Sequence, residues 1–164
     1  MRKILPLLLL VLFCSCGSKT TSNSTSNSTS NSTSQASAPF NPKAGDHILA
    51  HWGSDTYEPA TLKVIEGDRA KVVFDNDPQE QIVKYPSELL AIPTTAVKVA
   101  SGDYVLAQYP YQKQMWIGGR VNSVNGSMVS VKFSNTGADS DVPAEMLVKA
   151  PESMIPDIKK ELNQ

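Results

Sequence analysis

The sequence predicts an all-β protein made of two tandem copies of one small antiparallel barrel, followed by a short C-terminal helix. Three observations carry this. The stretch GDHILAHW, Gly45 to Trp52, returns as GDYVLAQY, Gly102 to Tyr109, 57 positions later. Apolar runs of five or six residues, the length of a strand, recur between turn residues on either side of each copy. Glu66-Gly67-Asp68 in the first copy and Asn125-Gly126 in the second separate such runs where a tight hairpin belongs, because Asn and Gly tolerate positive φ. An internal repeat of this kind fixes architecture before any finer reading begins.

The chain opens with Arg2 and Lys3, then an apolar run from Ile4 to Phe13. Ten residues are too few for a permanent membrane span, which needs about 20, and match the apolar core of a secretory signal. Both cysteines follow at once, Cys14 and Cys16, and the remaining 148 residues contain none. This excludes a disulfide framework and a thiolate metal site in the folded part. Phe13-Cys14-Ser15-Cys16 resembles the lipobox of bacterial lipoproteins, with Phe13 where Leu is usual. The resemblance implies cleavage after residue 15, acylation of Cys16, and a lipid anchor in the cell envelope. Gly17, in place of Asp, implies the outer membrane where the cell has one. Cys14 fits less well, since bulky Leu12 and Phe13 precede it; a plain secretory signal or a redox pair is the alternative.

Residues 16–43 read as the lipidated cysteine and a tether. Over residues 18–38 TSNS recurs with period four, and no apolar periodicity offers a face whose burial could offset chain entropy, so those residues are expected to be disordered. Asn23, Asn27 and Asn31 each begin a formal glycosylation sequon, which a bacterial lipobox makes irrelevant.

The first copy is expected over residues 44–93, a linker over 94–100, and the second copy over 101–151. Strands are expected at Ile48–Trp52, Ala60–Ile65 and Ala70–Phe74, and again at Val105–Tyr109, Gly119–Val124 and Met128–Phe133. The offset between copies is 57 at the Gly-Asp turns, 59 from Tyr57/Trp116 to Phe74/Phe133, and 57 again at Pro86/Pro143. Insertions and deletions of that kind fall in loops. A copy of about 50 residues is marginal alone, so the two should pack on each other. Residues 152–164 form the tail, in which Pro156 to Leu162 could make two helical turns docked by Ile155, Ile158 and Leu162.

GDHILAHW…YEPATLKVI…AKVVFDND…YPSELL resembles the Tudor domain, a five-stranded SH3-like barrel. GDYVLAQY…WIGGRVNSV…VSVKFSNT…VPAEML resembles it less closely in the same order. The resemblance implies tandem Tudor-like barrels over nearly all of residues 44–151, and a non-enzymatic module binding a protein or peptide. In Tudor domains that read methylated side chains, aromatics from the strand ends form a cage closed by an acid or Asn. Carried across, the first copy offers Trp52, Tyr57 and Phe74 with Asp75, Asn76 or Asp77; the second offers Tyr109, Trp116 and Phe133 with Asn135. A cation over an aromatic face gains roughly 0.5–2 kcal/mol. The pattern departs from the family after the third strand, where a further cage aromatic is replaced by Pro78, and by Gly137 or Ala138 in the second copy. The same residues fit another reading. Phe74 and Phe133 end alternating apolar runs and suit a core, and Trp52 and Tyr57 suit barrel caps. The chain would then be an SH3-like envelope scaffold binding cell-wall polymer or an envelope assembly without a cage.

Charge narrows the partner. Residues 44–93 hold nine acids and four bases, net −5, while residues 101–151 hold four of each. The first copy favours a cationic or neutral ligand, and nucleic acid, which needs a clustered basic face, is not expected. No cofactor is implied. His47 and His51 lie too far apart along a strand to share a metal, and no nucleophile motif or phosphate-cradling loop is present. Asp139 and Asp141 are expected to share a loop, but a carboxylate pair alone does not point to catalysis.

Overall fold

The computed structural model describes residues 40–163, so the signal segment, Cys16 and the tether up to residue 39 lie outside the described residues, while Phe40, at the end expected to be tether, packs against the first core. The strands run β1 (His47–Gly53), β2 (Thr56–Glu66), β3 (Arg69–Phe74), β4 (Asp77–Lys84) and β5 (Leu89–Ala91). The second set is β6 (Tyr104–Gln108), β7 (Trp116–Asn125), β8 (Met128–Phe133), β9 (Asp139–Pro143) and β10 (Leu147–Lys149), followed by helix α1 (Ile155–Leu162). Within each set the first four strands pair in a meander and the fifth returns to the free side of the first. All pairs are antiparallel. These are two five-stranded SH3-like barrels.

The repeated Gly-Asp explains itself in the turn geometry. Gly45 and Gly102 both have φ 94°, where a side chain would be strained. The carboxylate of Asp46 accepts the Lys43 N–H at 2.7 Å, and that of Asp103 accepts the Ala100 N–H at 3.0 Å. The glycine N–H groups donate to the Leu62 and Val121 carbonyls, each at 2.8 Å, and Leu62 and Val121 donate back to the carbonyls of Asp46 and Asp103. Immediately beyond, β2 is bulged between Leu62 and Val64, and β7 between Val121 and Ser123. The motif therefore clamps the entry of each barrel's first strand to the bulge that bends its second.

Each barrel has its own core. Ile48, Ala50, Ala60, Leu62, Val72, Phe74 and Leu89 fill the first. Val105, Ala107, Ile117, Val121, Val131, Phe133 and Leu147 fill the second. The sequence led us to expect two barrels packed on each other. The structure joins them more closely: Thr56 pairs with Ile117 and Tyr57 with Trp116, so that β2 and β7 fuse both sets into one ten-stranded sheet. The four central strands, β1, β2, β7 and β6, contribute Leu49, Tyr57, Trp116 and Leu106 to a third cluster, covered by Met154 and Ile158 of the C-terminal segment. Because this cluster takes one residue from each central strand, it occupies one face of the shared sheet. Both barrel cores lie on the other.

A polar lock crosses the same seam. The Gly118 N–H donates to the Asp55 carbonyl at 3.0 Å. The Ser134 hydroxyl lies against the Asp55 carboxylate and 2.6 Å from the Gly118 carbonyl. Asp55 and Ser134 are both buried, and the Asp55 carboxylate relies on the Ser134 hydroxyl for a hydrogen bond.

Gly118 admits helix α1. A methyl group at that position would stand 2.5 Å from Ile158 Cγ1 and 2.9 Å from Cδ1. Gly118→Ala should therefore lift α1 from the sheet and cost about 1–3 kcal/mol. Hydrogen exchange over 155–162 should accelerate while the cores of β3 and β8 stay protected; unchanged protection of the helix would show that Ile158 simply moves aside.

Candidate functional site

The open end of the first barrel is built by the ends of β1 and β3, by β4, and by the turn before β5. After His51 the pairing of β1 with β2 slips by one residue, and Trp52 sits in the irregularity. Trp52 is 46% exposed and stands edge-on over Phe74, ring centroids 4.8 Å apart and planes at 87°. Phe74 is only 2% exposed, so its ring belongs to the core and lends one surface to Trp52. Around this pair lies a cleft of about 360 Å3 lined by His51, Trp52, Phe74, Gln81, Ile82, Val83 and Glu88. Strand β4 pairs only with β3 and β5 only with β1, so the cleft sits where the barrel wall stays open.

Tyr57 does not join this cleft. It is 1% exposed, on the opposite face of the sheet, in the cluster beneath α1. Its hydroxyl reaches the Ser87 carbonyl at 3.4 Å, and burial, with Glu88 nearby, pushes its pKa up to about 12. The convergence of Trp52, Tyr57 and Phe74 expected from the sequence is thus corrected: two of the three meet. Trp116, 2% exposed, departs in the same way, since it is the cross-strand partner of Tyr57.

The polar residues expected to close a cage are engaged locally. Asp75 pairs with His47 Nε2 at 2.9 Å on the exposed surface. Asn76 donates to the buried Glu58 carboxylate at 2.6 Å. Asp77 accepts the Gln79 N–H at 3.0 Å at the start of β4. None of the three lines the cleft; the acid that does is Glu88, which also accepts the Lys84 N–H at 2.8 Å. Glu88 and Ile82 were not among the expected residues; the apolar Ile82-Val83 pair inside the polar run PQEQIVK could have suggested this wall.

In the second barrel Tyr109 repeats the position of Trp52, edge-on to Phe133 at 5.2 Å. Tyr111 extends the pair, 5.5 Å from Tyr109 and 78% exposed. Tyr111 was not among the expected residues; the loop Tyr109-Pro110-Tyr111 could have suggested it. Asn135 is exposed on the loop after β8. Among the described residues no group of three or more His, Cys, Asp or Glu is placed to hold a metal.

No family model matches the chain, and no curated protein matches it. Among solved structures it is similar to AGD34 of AGDP1 from Arabidopsis thaliana, with 14% identity over 65% of this chain and 81% of that one, TM-score 0.48. It is similar to the SHH1 SAWADEE domain in complex with an H3K9me3 peptide, with 14% identity over 64% and 97%, TM-score 0.43. It is also similar to the Crb2 tandem tudor domains, with 18% identity over 74% and 85%, TM-score 0.31.

Proposed function

We propose that the chain is a lipid-anchored, non-enzymatic binding protein of the bacterial cell envelope, whose first barrel takes a cationic side chain, methylated or not, from a protein or peptide ligand. The observation that carries this is the half-exposed Trp52 held edge-on by Phe74 over an open cleft with Glu88 in its wall. An aromatic face attracts a cation through its quadrupole, and a carboxylate beside it adds charge. The net charge of −5 in residues 44–93 favours the same partner. A second reading, an SH3-like scaffold without a cage, is favoured by the burial of Tyr57 and Trp116.

Titration calorimetry of the purified protein against peptides that differ only in Ala, Lys or trimethyllysine at one position separates the two. Binding that requires the cation supports the first reading, and equal or absent binding of all three peptides supports the second. The anchor has its own test. Cys16→Ala should release the protein from membranes or leave its precursor uncleaved. Unchanged membrane fractionation, with a mature mass lacking acyl chains, would remove the lipoprotein reading.

A further inference from the structure

The two open barrel ends are not independent places on the surface. Residues His51, Tyr57, Trp116 and Gln108 form one row across β1, β2, β7 and β6. Trp52 follows His51 at one end of that row, and Tyr109 follows Gln108 at the other. Three strand spacings separate the ends, roughly 14 Å. Trp52 packs on Phe74, a member of the first core, and Tyr109 packs against the second core. Both cores occupy the face of the shared sheet opposite α1, so both aromatic groups lie on that face; β1 and β6 run antiparallel to each other, so Trp52 and Tyr109 leave the row in opposite directions, each about one residue beyond it. The Tyr57–Trp116 pairing and the Asp55–Ser134 contact hold them at a fixed separation.

The two ends differ in chemistry. The first combines Trp52 with Glu88 in an acidic barrel. The second presents Tyr109 and the exposed Tyr111 in a barrel whose residues 101–151 carry no net charge. We propose that one extended polypeptide segment bridges both ends. Its cationic side chain enters the Trp52 cleft, and an apolar or aromatic side chain rests on Tyr109 and Tyr111. At about 3.4 Å per extended residue, the two ligand side chains would be separated by about three to five residues. This rests on the reading of the Trp52 cleft given above and adds the ligand's extended form, its second anchor and its spacing. A rigid pair of subsites gains affinity because the second contact is made at high effective concentration, and only when the spacing fits.

The test uses the full chain in detergent micelles and fluorescein-labelled synthetic peptides. Each carries one trimethyllysine and one phenylalanine, separated by one to ten Gly and Ser residues. Anisotropy should show an affinity maximum at about three to five intervening residues, at least about tenfold above the longest spacers. Tyr111→Ala should remove that maximum while leaving the affinity of a peptide without phenylalanine unchanged; Trp52→Ala should weaken every peptide. Affinity independent of spacing, or a maximum that survives Tyr111→Ala, overturns the bridging proposal while Trp52-dependent binding preserves the cleft reading. Loss of Trp52 dependence throughout overturns both. Displacement of the peptides from Tyr111 by peptidoglycan fragments, without any preference for phenylalanine, would assign the second end to a glycan and also overturn the single-chain bridge.

Discussion

Trp116→Ala should destabilise the protein by about 3–5 kcal/mol, the range for removing a fully packed large aromatic side chain. The indole is 2% exposed and stands in the cluster with Tyr57, Leu49, Leu106, Met154 and Ile158, where the two barrels and the C-terminal segment meet. Its removal opens a cavity at β2–β7, the only strand pair through which the two barrels join in one sheet among the described residues. The loss should therefore reach both barrels. Trp52 is then the one remaining tryptophan, since the chain has two, and its fluorescence reports on the first barrel from inside the variant. Denaturant unfolding should show that signal moving to lower denaturant in step with the circular dichroism of the whole chain. A loss below about 1 kcal/mol, or a first barrel that unfolds where it did before, would show that the seam contributes little and that each barrel stands alone.

That seam was hidden in the sequence for identifiable reasons. Pro59 lacks an N–H and Gly118 lacks a side chain to pack, and the expected second strands began at Ala60 and Gly119. In the structure they begin at Thr56 and Trp116. Tyr57 and Trp116 thus read as loop residues, open to a ligand, when both are strand residues with a definite face. A strand residue's face follows from its parity, and parity cannot be counted through a strand whose start is misplaced. The pairing of β2 with β7 is a tertiary event between segments about 60 residues apart, to which no local pattern corresponds.

By contrast, the Gly-Asp turns, the Gly67 and Gly126 hairpins and the helix at Ile155–Leu162 were legible, because each is written in local chemistry. The candidate site was legible in part. Trp52 and Phe74 meet as the strand ends require, and so do Tyr109 and Phe133. Asp75, Asn76 and Asp77 were adjacent in sequence to the right place, yet short polar side chains in a tight connection find the nearest hydrogen-bond partner first. They are held by His47, Glu58 and the β4 backbone respectively. Glu88 comes to the cleft from a distant turn, by the return of β5 onto β1.

Trp52 and Phe74 touch each other, yet their substitutions should have opposite signatures. Phe74→Ala removes a side chain 2% exposed and part of the first core, and should cost about 3–5 kcal/mol, unfolding the barrel along with its cleft. Trp52 is 46% exposed, so Trp52→Ala forfeits only part of an aromatic's burial and should cost about 1–2 kcal/mol. Its effect belongs to binding. Loss of a cation–π contact worth about 0.5–2 kcal/mol lowers affinity for a cationic peptide by about 2- to 30-fold, and loss of the cleft's wall adds to that. Two further variants tell an aromatic face from mere bulk. Trp52→Phe keeps a π face and should retain much of the affinity, whereas Trp52→Leu keeps apolar volume and should bind as poorly as Trp52→Ala. Equal binding by the Leu and Phe variants would mean that Trp52 acts by filling space. If Trp52→Ala unfolds the domain while its remaining folded fraction binds normally, Trp52 is packing, and the cleft is not where the ligand's charge is read.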